Sequence, residues 1–164
     1  MNLPVGEVIS QGVNFKEVDS KRLIQSLYEK RFSGYVIVAV EGYDGFEEGM
    51  LLFKQGEMVG AYHEYDLHGI TIFGDDSIAH VFNSFAAEYI VGDLVSLSNQ
   101  QVDLVTAFND KTKLEAPINK GDILKLIPKV YSNELAKNIL SAVVHEKDTR
   151  KDIFKKLGLS GLGD

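Results

Sequence analysis

The chain has 164 residues, of which 45% are hydrophobic and 25% are charged, and its formal net charge is −7. A length and composition of this kind are typical of a globular domain that buries a core without covalent cross-links. The chain contains no cysteine, which excludes disulfides, thiolate metal sites and cysteine nucleophiles.

The charge is unevenly distributed along the chain. Residues 1–119 carry eight Lys/Arg against eighteen Asp/Glu, a net −10, and residues 120–164 carry nine against six, a net +3. The acidic body would repel phosphate, so we expect no nucleic-acid binding. The basic C-terminal part could dock on the acidic body or on an acidic partner, or it could form a solvated helix surface. Without a visible signal peptide or a membrane-spanning apolar run, we expect a cytoplasmic protein that does not bind membranes.

A helix and three strands are predicted first. Apolar residues recur at helical spacing after Asp19, which predicts a helix capped at Asp19 or Ser20 and ended by Ser33–Gly34. Three apolar stretches follow, at 35–40, 50–53 and 58–65. Their β-branched and aromatic residues are typical of strands.

Two turn signals join these strands into an antiparallel meander. They are Asp44–Gly45 and Gln55–Gly56. Centring the turns there pairs Val38 with Leu51 and places Lys54 opposite Glu57. In this register both faces of the sheet are apolar, so both must be covered, by helices or by another chain.

The second half of the chain changes from mixed to helical. A helix capped at Asp75 or Asp76 is predicted, then a strand at 93–98 and a helix that begins with a capping box at Ser98. Further helices are predicted after Ser132 and from Thr149. The fold class is therefore α+β, an antiparallel meander covered by helices. We expect a sheet domain over 1–117 and a helical extension over 118–164.

The segment HEYDLH (63–68) carries the densest cluster of metal-ligand side chains. Its two histidines are five residues apart on a strand, so the zinc-protease pattern, which needs helical i, i+4 spacing, is excluded. The predicted register nevertheless places Glu41, Glu48 and His63 side by side across three strands. The three side chains could bind a cation, form an acid–base pair, or extend into water. They are the candidate metal ligands.

Other polar residues are expected to be structural. His80 falls on the polar side of its predicted helix and is expected to be exposed, and Asp75–Asp76 are interpreted as helix caps. Tyr35, Tyr62 and Tyr65 could form a stacking platform for bases, but their acidic surroundings favour packing in the core. No catalytic residue, cofactor-binding residue or cofactor is predicted.

Residues 32–65, FSGYVIVAVEGYDGFEEGMLLFKQGEMVGAYHEY, resemble PATAN-type domains, which accompany bacterial response regulators. The same residues are more similar to a family of uncharacterised archaeal proteins that also carry SNQQVDLVTAFN (98–109) and TRKDIFKKLGL (149–159). The resemblance implies a non-catalytic adaptor or sensory module. The sequence departs from the PATAN pattern at LHGITIFGDDSI (67–78), where a helix of small residues would follow.

These observations predict a non-enzymatic interaction or adaptor module with a regulatory role. A protein partner is expected, and a homodimer is one form that it could take. The alternative is a sensor domain that binds a small ligand or a cation through Glu41, Glu48 and His63.

Overall fold

The computed structural model describes residues 1, 3–118 and 120–143. They fall into two compact units that divide after Tyr131. The predicted domain boundary after residue 117 falls inside the last strand of the first unit. The second unit is helical over residues 134–143, and the predicted helix from Thr149 lies outside the described residues. No helix within the described part is long and apolar enough to cross a membrane.

The first unit contains the sheet and four α-helices. In chain order the elements are β1 (Glu7–Asn14), α1 (Ser20–Glu29), β2 (Gly34–Gly42), β3 (Gly45–Lys54), β4 (Glu57–Tyr65), β5 (Ile70–Phe73), α2 (Asp75–Ser84), β6 (Ile90–Ser96), α3 (Asn99–Phe108), β7 (Lys113–Ile118) and α4 (Lys120–Leu126).

The strands form one antiparallel sheet in the order β1-β6-β2-β3-β4-β5, and β7 also pairs with β4. The strands β2, β3, β4 and β5 follow one another as hairpins, so the predicted meander forms the middle of the sheet. Strand β6 returns after α2 to pair with the far side of β2. The predicted α+β class is confirmed.

Both faces of the sheet carry apolar clusters, as the sequence predicts. On the first face, α1, α2 and α4 bury the main core. Its strand and helix residues include Val36, Val38, Leu51, Phe53, Ile24, Val81, Phe82 and Ile123. On the second face, α3 covers a smaller cluster that includes Met50, Leu52, Tyr62, Val95, Val102 and Val105. Helix α3 has ten residues, so it covers only part of this face.

The β2–β3 register differs from the predicted one by two residues. Val38 pairs with Gly49 and not with Leu51, and the last pair before the turn is Gly42 with Gly45. The turn is therefore formed by Tyr43 and Asp44, one residue earlier than predicted. A shift of two residues keeps each side chain on its predicted face.

The β3–β4 register contains a β-bulge. Lys54 pairs with Glu57 as predicted, but Leu52 pairs with Gly60, so Val59 is the extra residue. One extra residue reverses the side-chain alternation beyond it. Ala61 consequently joins the core of the first face and Tyr62 that of the second, the reverse of the prediction.

Helix caps are confirmed at two positions and wrong at one. The Asp19 carboxylate accepts a hydrogen bond from the Arg22 amide, and Ser98 forms the predicted capping box. The residue at the N-cap of α2 is Gly74, however, and not Asp75 or Asp76. The Asp75 carboxylate instead accepts a hydrogen bond of 2.8 Å from the Glu115 amide, which ties α2 to β7.

Candidate functional site

The three predicted metal ligands do not lie in one row. Glu41 pairs with Phe46, Glu48 pairs with Ala39 and Glu64, and His63 pairs with Gly49. Glu41 and Glu48 point to the second face of the sheet, whereas His63 is fully buried on the first. The bulge at Val59 is the reason, because it moves His63 to the face opposite Glu48.

This register removes the geometry on which the metal prediction depended. Within the described residues, no group of three or more His, Asp or Glu side chains could hold a metal ion. Glu48 instead accepts a hydrogen bond from the Tyr62 hydroxyl. At the end of HEYDLH, His68 lies 2.8 Å from the Asp44 carboxylate at the neighbouring turn.

The carboxylate beside His63 belongs to Glu47, whereas the sequence predicts the neighbouring residue, Glu48. The Nε2 atom of His63 lies 3.2 Å from the Glu47 carboxylate, and the two residues are 0% and 3% exposed. The other Glu47 oxygen accepts hydrogen bonds from the Tyr131 hydroxyl at 2.7 Å and the Tyr43 amide at 3.2 Å. The absence of a side chain at Gly42 leaves room for the Glu47 carboxylate, because a Cβ at this position would lie 2.0 Å from it.

Opposing effects act on the Glu47 carboxyl. Burial raises its pKa, but hydrogen bonds from His63 and Tyr131, with the charge of His63, outweigh burial and lower the pKa overall. Glu47 is thus a carboxylate at neutral pH. Among the described residues, none lies within hydrogen-bonding distance of the other ring nitrogen of His63, Nδ1.

His80 extends this polar cluster toward α2. Its Nδ1 lies 2.7 Å from the Tyr65 hydroxyl, and the side chain is buried, so the prediction of an exposed His80 is wrong. Burial and the nearby His63 lower the pKa of His80 to about 4, which keeps its imidazole neutral at pH 7. Burial likewise raises the pKa of the Tyr65 hydroxyl. The prediction of core packing is correct for Tyr62 and Tyr65, which are buried, whereas Tyr35 is only partly buried against the cluster of the second face.

The buried cluster stabilises the fold and has little access to solvent. Glu47, His63, Tyr65 and His80 are at most 8% exposed. Through its hydrogen bonds the cluster joins β3, β4, α2 and Tyr131, the last residue of the first unit.

The second face carries an open apolar groove beyond the reach of α3. It has a volume of about 310 Å³, and its lining residues are Asn14, Ala39, Val40, Glu41, Phe46, Glu88, Tyr89, Ile90 and Val91. Phe46 is 69% exposed, Tyr89 67% and Val91 50%. Three large apolar side chains around one concave surface indicate an interaction site more strongly than scattered exposed residues do.

The groove is acidic at its margin. Glu41 and Glu88 line it and are exposed, and neither forms an ion pair within the described residues. The Glu41 amide donates a 3.3 Å hydrogen bond to the Tyr89 carbonyl, which joins the end of β2 to the segment before β6. Of the predicted site residues, only Glu41 belongs to this groove.

Residues 1–109 match the family model described as uncharacterized protein conserved in archaea (DUF2226). The chain belongs to this family. The match covers β1 to α3, and hence the groove and the Glu47–His63 pair. It confirms the predicted similarity to uncharacterised archaeal proteins. Comparisons of this DUF2226 chain with curated proteins and with solved structures find no match.

Proposed function

We propose that this DUF2226 protein is a non-enzymatic protein-interaction module that binds its partner in the groove of the second sheet face. The exposure of Phe46, Tyr89 and Val91 around this groove is the observation that supports the proposal. Aromatic and aliphatic side chains of this kind, once desolvated by a partner, supply most of the binding energy of protein interfaces.

The chemistry of the groove also favours binding over catalysis. Its polar groups are the Asn14 amide, the Glu41 and Glu88 carboxylates and the Tyr89 hydroxyl, and no histidine, lysine or serine is among the described residues that line it. A catalytic site needs a nucleophile or base together with groups that stabilise the transition state. The proposed similarity to PATAN-type domains over residues 32–65 supports an adaptor role for the same region.

Selection of peptides from a random library on the immobilised protein tests this function. Peptides that bind the wild type should lose binding to Phe46→Ser/Val91→Ser, because the substitutions remove the apolar walls of the groove. Phe108→Ser is the matched control, since Phe108 is 84% exposed on α3. Selected peptides that bind Phe46→Ser/Val91→Ser as tightly as they bind Phe108→Ser would contradict the proposal.

A sensor that binds a small ligand is the second candidate. The groove volume of about 310 Å³ lies at the lower end of the range for small-molecule sites. A small molecule that raises the melting temperature of the wild type, but not that of Phe46→Ser/Val91→Ser, would favour the sensor over the interaction module.

A further inference from the structure

We propose that the partner segment carries an apolar anchor side chain flanked by lysine or arginine. This inference rests on the proposed function, because it names the chemistry of the partner that the groove takes. It depends on two features of the groove, its apolar floor and its uncompensated carboxylates.

The floor of the groove fits a single apolar side chain. Ala39 and Val91 are directly paired across β2 and β6, and both are exposed. The small Ala39 side chain leaves space beside Val91, next to the row in which Glu41 lies between Phe46 and Tyr89. An aromatic or branched aliphatic side chain in this space would cover the apolar surface that the chain itself leaves open.

The carboxylates that line the groove favour basic residues on either side of the partner's apolar anchor. Glu41 and Glu88 both line the groove, and the described residues that line it include no lysine or arginine. The hydrogen bond from the Glu41 amide to the Tyr89 carbonyl holds the two acidic segments beside each other. Flanking lysine or arginine side chains would pair with these carboxylates, whereas acidic flanks would be repelled. The net −10 of residues 1–119 extends this preference beyond the groove.

The same charges disfavour a second copy of the chain as the occupant. In a two-fold symmetric dimer a surface meets its own copy. Glu41 and Glu88 of one copy would then lie close to the same carboxylates of the other, and no described lining residue is basic. Nucleic acid is disfavoured for the same reason, because its phosphates are negative.

Three fluorescent peptides with one apolar core test the inference on the full chain. Their sequences are Lys-Lys-Leu-Phe-Lys-Lys, Ser-Ser-Leu-Phe-Ser-Ser and Glu-Glu-Leu-Phe-Glu-Glu. Fluorescence anisotropy should show the lysine peptide binding about tenfold more tightly than the serine peptide at low salt, with the glutamate peptide weakest. Raising the salt concentration from about 0.05 M to about 0.5 M should remove most of this difference.

Two double variants of equal charge locate the effect. Glu41→Gln/Glu88→Gln should bind the lysine and serine peptides equally. Glu7→Gln/Glu115→Gln changes two exposed carboxylates outside the groove and should keep the preference for lysine. If both variants lose the preference to the same extent, a general attraction to the acidic surface explains it and the inference is wrong.

The remaining outcomes separate this inference from the proposed function. If library selection finds groove-dependent peptides without basic flanks, or the serine peptide binds as tightly as the lysine peptide, the charge preference is wrong and the interaction module stands. Concentration-dependent dimerisation of the wild type at neutral pH that Phe46→Ser/Val91→Ser abolishes would identify a second copy as the occupant. That result would overturn the inference.

Discussion

Glu47 shows how one buried charge can connect distant parts of the chain. Its carboxylate accepts hydrogen bonds from Tyr43 and Tyr131 and lies 3.2 Å from His63. A buried carboxylate without partners would be costly. Here three donors satisfy it, and they belong to the β2–β3 turn, β4 and the last residue of the first unit. The cluster therefore makes the position of Tyr131 depend on the charge of Glu47.

His80 makes the stability of the fold depend on pH. Its pKa is about 4 in the folded protein against 6.5 in a free side chain, owing to burial and His63, with Glu47 and Asp76 opposing them. As pH falls below 6.5 the unfolded chain binds a proton at His80 that the folded chain does not bind. We expect the free energy of unfolding to fall by up to about 3 kcal/mol between pH 6.5 and pH 4.

Urea unfolding across this pH range checks the prediction. His80→Gln keeps an acceptor for the Tyr65 hydroxyl and should flatten the pH dependence. The matched control is His68→Gln, which removes a partly exposed histidine and should retain the contribution of His80 to the slope. Because the pKa of Glu47 is lowered, its contribution to stability is lost only below its ordinary value of 4.5, so the variants are compared between pH 6.5 and pH 4.5. A slope that persists in His80→Gln would show that other groups cause it.

At the scale of elements, the β2–β3 hairpin and the bulge in β4 decide which side chains meet. The hairpin turn lies one residue before the Asp44–Gly45 signal, and Gly45 has a φ of 95° as the first paired residue of β3. The turn places Gly42 directly beside the Glu47 side chain. A glycine at this position thus serves packing against a side chain as well as the turn.

Gly42→Ala should destabilise the protein through this contact. The added Cβ would lie 2.0 Å from a Glu47 oxygen, and Glu47 cannot move without loosening its hydrogen bonds to Tyr43 and Tyr131. We expect a loss of about 1–3 kcal/mol, the usual cost of overpacking. Gly121→Ala is the matched control, because a Cβ there meets nothing within 4 Å and alanine favours the helix α4. Equal melting temperatures for Gly42→Ala and the wild type would show that the hairpin adapts.

Sequence patterns predict some of these elements and not others. The caps at Asp19 and Ser98, strand β2 and the pairing of Lys54 with Glu57 follow from local signals, and the structure confirms them. The sequence patterns do not predict strands β1, β5 and β7, and each has a physical reason. Strand β1 has register shifts and is mostly exposed, β5 has four residues, and β7 contains a proline.

The candidate site is harder to predict, because it depends on pairing between distant residues. The adjacent Glu47 and Glu48 must point to opposite faces of a strand, so the sequence indicates that one of them faces the core. Whether that residue meets His63 depends on the bulge at Val59. Gly60 is the one local signal for the bulge, and it lies beside the extra residue. The groove has no local signal, since Ala39, Phe46 and Val91 come from three strands.

At the scale of the whole molecule, the net charge and the open groove have opposite effects on association between copies of the chain. At neutral pH a net charge of −7 keeps copies of the chain apart. The isoelectric point is about 5.1, so this repulsion disappears as the pH approaches that value. The exposed apolar side chains of the groove remain, and they favour association. The acidic composition thus keeps the exposed apolar surface of the groove from self-association at neutral pH.

Self-association near the isoelectric point should therefore depend on the groove. We expect light scattering of the wild type to increase as the pH falls from neutral toward 5.1, and Phe46→Ser to reduce this increase several-fold. Phe108→Ser removes an aromatic side chain that is 84% exposed but lies on α3, and it should have a smaller effect. Circular dichroism at each pH establishes that the chain is folded, which separates association from the loss of stability expected for His80. An equal effect of the two substitutions would mean that exposed aromatic area in general causes association, and that the groove has no special part in it.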